Sequence, residues 1–160
     1  MRQRFGIAQA MLGNPKLLIV DEPTAGLDPE ERVRFHNLLA DIAADVVVIL
    51  STHIVSDVAD LCGSFAIING GRVLLCGEPD ALVAGLQHRI WRKVVAKSEA
   101  EALKSSLSIV STRLQAGRTV VRVFGDSAPA PGFEPVEADL EDVYFCTIAG
   151  YLAVPVAEAA

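Results

Sequence analysis

Two adjacent carboxylates, Asp21 and Glu22, follow the apolar run Leu17-Leu18-Ile19-Val20, and His53 follows a second apolar run, Val46 to Leu50. Acids placed just past the carboxyl end of a strand in an open α/β sheet lie on the edge where ligands bind. One carboxylate there can hold a magnesium ion through oxygen, and its neighbour can orient or deprotonate an attacking water. Histidine on the next strand can donate a hydrogen bond to a phosphate oxygen as charge develops on it. Each residue also has a plainer role open to it. Glu22 can be an exposed loop acid before Pro23, His53 can open the next helix, and Asp28 can be a helix cap alone.

The loop that normally holds phosphates beside such a pair has the form G-x-x-x-x-G-K-[ST]. The four lysines, Lys16, Lys93, Lys97 and Lys104, follow Pro15, Arg92, Ala96 and Leu103, so the sequence contains no Gly-Lys pair. Half of a nucleotide site is present without the other half.

The elements that must position these residues alternate. Phe5, Ala8 and Leu12 have helical spacing, with a stop at Gly13-Asn14-Pro15. Leu17 to Val20 is short and unalternating, as expected of a strand buried on both faces of a parallel sheet. Asp28-Pro29-Glu30-Glu31 reads as an N-cap, a first-turn proline and a third-position glutamate, ahead of an apolar stripe of Val33, Leu38, Leu39 and Ile42. Val46 to Leu50 is a β-branched strand, and Ile54 to Leu61 is patterned as a helix. Asn69-Gly70-Gly71 joins two strands, Phe65 to Ile68 and Arg72 to Leu75, as a hairpin. A short helix runs from Gly77-Glu78-Pro79-Asp80 to near Gly85. From about Gln87 the pattern becomes a small α+β appendage: a strand at Ile90 to Val95, a helix at Ser98 to Leu107, and a hairpin turning at Ala116-Gly117. Asp126 to Glu134 reads as a loop, Leu140 begins a last helix, and the Ala-rich end from Val156 is expected to fray.

The 160 residues carry a formal charge of −6 and are 51% hydrophobic, enough for a core. Acidity and scarce lysine argue against a nucleic-acid surface, and Arg89, Arg92 and Lys93 beside Trp91 read as a solvated strand face. Three cysteines without C-x-x-C spacing suit a reduced, cytoplasmic setting. They read as buried small apolar groups, while His36 and His88 read as surface or interface residues. Asp41, Asp45, His53 and Asp57 interrupt the most apolar region, so no membrane span is expected.

The run Leu17-Leu18-Ile19-Val20-Asp21-Glu22-Pro23-Thr24-Ala25-Gly26-Leu27-Asp28 resembles the Walker B segment and D-loop of ATP-binding-cassette (ABC) ATPases. Ser51-Thr52-His53 resembles their switch-histidine loop, and Met1-Arg2-Gln3-Arg4-Phe5-Gly6-Ile7-Ala8-Gln9-Ala10 resembles the residues just after the signature Ser-Gly-Gly. The resemblance implies a partial P-loop NTPase sheet with helices over residues 1–86, and an accessory α+β domain over 87–160 similar to the C-terminal extension of ABC-2 and drug-exporter subunits. It implies ATP and Mg2+ as cofactors, with Asp21 at the metal, Glu22 as general base and His53 at the γ-phosphate. Asp21, Asp28, Ser51 and Thr52 are the implied cofactor-binding positions, Asp28 reaching toward the partner's site. The implied partners are transmembrane permease subunits and a second ATPase subunit, at the cytoplasmic face of the membrane.

Ser-Gly-Gly would fall just before Met1, and the upstream glutamine loop and adenine-stacking aromatic are also missing. The expectation is therefore a truncated ATPase subunit, of exporter type, that does not bind or hydrolyse ATP measurably alone. Without the strand that bears the phosphate loop, the Leu17 to Val20 strand or its neighbour is expected to be left uncovered and prone to aggregation. The alternative is a non-hydrolytic regulatory fragment docking on a full-length ATPase. A phospho-receiver domain fits less well, because the lysine it needs after a later strand is replaced by Gly70, Gly71 and Arg72.

Overall fold

The computed structural model describes residues 2–152, with side chains from Phe5 onward. The signature-like residues before Phe5, as side chains, and the segment from Val156 lie outside the described residues. The described chain divides into two compact units, Met1–Cys62 and Gly63–Ala160. This division falls earlier than the change in composition near Gln87.

The first unit is α/β. Helix α1 (Arg2–Met11) leads to strand β1 (Leu17–Asp21), helix α2 (Pro29–Ala43), strand β2 (Val47–Ser51) and helix α3 (Val55–Leu61). Strands β1 and β2 pair in parallel, with Leu18 opposite Val48, Ile19 opposite Ile49 and Asp21 opposite Ser51. Helix α2 starts where the sequence says it must. Asp28 has extended backbone and accepts the Glu31 N–H at 2.8 Å, with Pro29 in the first turn. Such a cap is worth about 1 kcal/mol.

Ile7, Leu18, Phe35, Leu39 and Val46 form the core of this unit, so the helices cover one face of the strand pair. Burying each large side chain there contributes about 1.5–3 kcal/mol. The opposite face differs from the expectation that β1 is buried on both sides. Leu17, Ile19, Val47 and Ile49 are exposed, Ile19 to 68%. An apolar run shows that a strand is buried somewhere, whereas the number of covered faces depends on what packs against it.

The second unit is α+β. Strands β3 (Phe65–Asn69) and β4 (Arg72–Gly77) form an antiparallel hairpin, with Gly70 and Gly71 both at positive φ. That is the backbone a two-residue hairpin turn of matching twist requires. Helix α4 (Pro79–Ala84) precedes strand β5 (Ile90–Val95), helix α5 (Lys97–Leu103), strands β6 (Ile109–Gln115) and β7 (Arg118–Phe124), the short strand β8 (Glu134–Pro135) and helix α6 (Leu140–Ile148). The last four strands form one sheet in the order β6-β7-β5-β8. Strand β8 lies at the end of the segment read as loop, where Pro135 occupies an edge position. A reciprocal capping box between Asp139 and Asp142 starts α6. Within this unit, Arg89 pairs with Asp126 at 2.7 Å and Lys93 with Glu99 at 2.9 Å, in keeping with a solvated face. The cysteines divide: Cys146 is buried, its thiol pushed up to about 12 by burial and by the nearby Asp142 charge, whereas Cys76 is exposed.

Candidate functional site

The parallel register of β1 and β2 sets Asp21 opposite Ser51, and the Ser51 hydroxyl donates to Asp21 Oδ1. One residue past β1 the chains stay joined, because the Glu22 N–H donates to the carbonyl of Ser51, the last residue of β2, at 2.9 Å. Past that bond His53 Nδ1 meets Glu22 Oε1 at 2.8 Å. Four of the residues expected to act together, Asp21, Glu22, Ser51 and His53, are therefore neighbours at the carboxyl end of the strand pair.

Glu22 is not a simple exposed loop acid. Its φ is +46°, uncommon for a residue with a side chain and placed before Pro23, which restricts it further. Such a conformation costs on the order of 1–3 kcal/mol and persists where the surroundings fix it. Here the Ser51 carbonyl and the Ala25 N–H, which donates to the Glu22 carbonyl at 3.2 Å, hold the backbone. The side chain has two different oxygens: Oε1 faces His53, and Oε2 is buried with no hydrogen-bond partner among the described residues. A buried carboxylate oxygen lacking a donor is a place where a water hydrogen would be accepted. His53 is 76% exposed.

Among the described residues, no group of three or more His, Cys, Asp and Glu is placed to hold a metal ion. Magnesium asks for less, since it commonly takes one or two carboxylates and fills its octahedron with water and substrate phosphates. Asp21, exposed and fixed by Ser51, fits that requirement.

The other two expected positions face elsewhere. Asp28 caps α2. The Thr52 hydroxyl accepts the Ile54 N–H at 3.0 Å and lies 3.5 Å from Asp57 Oδ2.

Asp57, in the first turn of α3, was not among the candidates. It has no solvent exposure and is hydrogen-bonded by Thr24, by Arg32 through Nε at 2.7 Å and through a terminal nitrogen, by His36 Nε2 at 3.0 Å, and by Thr52. Burial raises its pKa, but the hydrogen bonds from Thr24 and Arg32, the guanidinium charge and the His36 contact outweigh it, so the carboxyl titrates below its ordinary value of 3.8. His36, read as a surface or interface residue, is largely buried against Asp57, with Nδ1 3.6 Å from Asp60. His88 is exposed, as read. A signal was present in the sequence. Asp57 shares the apolar face of α3 with Ile54, Val58 and Leu61, and a charge on such a stripe demands a partner. Arg32 and His36, four apart on α2, supply it.

No family model matches the chain. Curated relatives do. The chain is 33% identical to Nod factor export ATP-binding protein I of Cupriavidus pinatubonensis over 81% of its own length and 40% of that protein's. It is 29% identical to the uncharacterized ABC transporter ATP-binding protein YxlF of Bacillus subtilis over 90% of itself and 54% of the relative. It is 47% identical to YdbJ, a similarly named protein of the same organism, over 46% of itself and 24% of the relative. The chain thus spans about half or less of the length of these relatives. Its sequence is homologous to that of the ATP-binding proteins of ABC transporters.

Proposed function

We propose that this chain is part of the ATP-hydrolysing subunit of an ABC transporter of exporter type, and that Asp21, Glu22, Ser51 and His53 are its share of the nucleotide site. The Glu22–His53 pair at 2.8 Å, set beside Asp21 and Ser51, carries the reading. Asp21 would hold magnesium, and the ion when bound supplies charge neutralisation on the phosphates. Glu22 accepts a proton from water through its unpartnered oxygen, while its other oxygen stays on His53. With Nδ1–H donated to Glu22, a neutral His53 presents only an acceptor at Nε2, so contact with a phosphate oxygen uses the doubly protonated ring.

Residues 1–86 belong on this reading to the ATPase domain and 87–160 to an accessory domain. The relatives named for Nod factor export support the export reading. The partners on this reading are transmembrane permease subunits and a second ATPase subunit, toward whose site Asp28 would reach, at the cytoplasmic face of the membrane. By itself the chain turns over no ATP, because its sequence offers no Gly-Lys pair to hold the phosphates.

The test is nuclear magnetic resonance of the purified chain titrated with magnesium and ATP, alongside a phosphate-release assay. Weak, millimolar-range shifts confined to Asp21, Glu22, Ser51 and His53, with no turnover, are expected. Turnover abolished by Glu22→Gln would overturn the inactivity of the isolated chain, and shifts that avoid this edge would overturn the site.

A further inference from the structure

We propose that Asp57 is a positioning residue that holds the Glu22 loop and the His53 loop in one arrangement against helix α2. This deepens the nucleotide reading, on which the working roles of Glu22 and His53 rest.

The two oxygens of Asp57 divide by destination. Oδ1 receives α2, through two nitrogens of Arg32 and through His36 Nε2 at 3.0 Å. Oδ2 receives the loops, through the hydroxyls of Thr24 and Thr52, the latter at 3.5 Å. Thr24 stands two residues past Glu22, and Thr52 directly precedes His53. Neither hydroxyl belongs to the Glu22–His53 pair, yet both loops end on the same carboxylate oxygen.

Burying a charge is costly, and well-packed apolar residues in place of a buried ion pair are often as stable. What the apolar alternative lacks is direction. Apolar contact would let the two loops slide, whereas a carboxylate fixed by a guanidinium fork offers its second oxygen at one place only. Arg32 itself is tied down twice, since a terminal nitrogen also donates to Ser56 Oγ at 2.6 Å on the residue before Asp57. The strained backbone of Glu22 is the part of the site that most needs such support.

Residue-resolved amide hydrogen exchange of the full chain, without nucleotide, tests this. In Asp57→Asn, the amides of Ala25, Leu27 and Ile54, which close the two loops, are expected to exchange about tenfold faster relative to the β1 and β2 amides. Equal acceleration of strands and loops would reduce Asp57 to general stability and overturn the proposal. If Asp57→Asn does not fold, Thr24→Val leaves the Arg32 pair intact. It is expected to speed Ile54 exchange in the other loop, with Thr24→Ser restoring protection. An Ile54 amide unmoved by Thr24→Val overturns the proposal. Because no nucleotide is present, that failure is separate from an absence of nucleotide shifts at Asp21 and Glu22, which would count against the nucleotide reading alone.

Discussion

Asp57 is a charge without solvent, and its folded-state energy rests on Arg32, His36, Thr24 and Thr52. Removing the charge while keeping the shape leaves the Arg32 guanidinium facing a neutral amide. Asp57→Asn is expected to destabilise the first unit by about 2–3 kcal/mol, below the range for breaking a wholly buried pair because Arg32 keeps 30% of its side chain in solvent. Chemical denaturation at neutral pH, followed by methyl resonances of Ile7 and Leu39, measures the loss; a change under about 0.5 kcal/mol would show that the network adds nothing. At this scale the sequence was legible where a residue type admits few uses at a strand end. Asp21, Glu22 and His53 were singled out because paired acids and a histidine after apolar strands suggest a ligand edge, and the structure sets them side by side. For Asp57 the sequence held a signal, a charge on the apolar stripe of α3, but which groups answer it, Arg32 and His36 on another helix, is a relation that local patterning does not contain.

Elements with local punctuation were readable, and elements defined by what covers them were not. Asp28-Pro29, Asn69-Gly70-Gly71 and Ala116-Gly117 each impose a backbone that tertiary packing has no reason to override. Strand β1 is the counterexample, because its run of four apolar residues fits one covered face or two equally well. Ile19 and Ile49 are register partners on the uncovered face, exposed to 68% and 53%. A contiguous apolar surface of this kind promotes association, while its side chains add little to the stability of the unit itself. Ile19→Thr with Ile49→Thr is therefore expected to shift the purified chain toward monomer in sedimentation velocity. The unfolding midpoint should move by little, since threonine keeps the β-branched shape. Unchanged association, or a stability loss like that of a core truncation, would show that this face is already buried in solution.

At the scale of the whole molecule the described residues form two compact units, and a buried acid in each responds to pH with opposite sign. In the first unit Asp57 titrates below 3.8, so its stabilisation is complete above that pH and is lost as the pH falls through the lower folded value. In the second unit Asp142 is only 2% exposed, and burial raises its pKa above 3.8 despite the hydrogen bonds and charge of Arg122. Its protonation therefore favours the folded state. That contribution is full below pH 3.8 and fades as the pH rises through the folded value. Acid thus removes a support from the first unit over the range in which the second has gained one. The first unit also relies on a core of five buried side chains around one covered face of a strand pair. On acidification from neutrality the Ile7 and Leu39 methyl signals of the first unit are expected to collapse first. Trp91, whose indole N–H donates to the Gly125 carbonyl at 2.9 Å, should report the second unit still folded. Loss of Trp91 fluorescence at the same or a higher pH than the methyl signals would contradict this order and place the acid-labile core in the second unit.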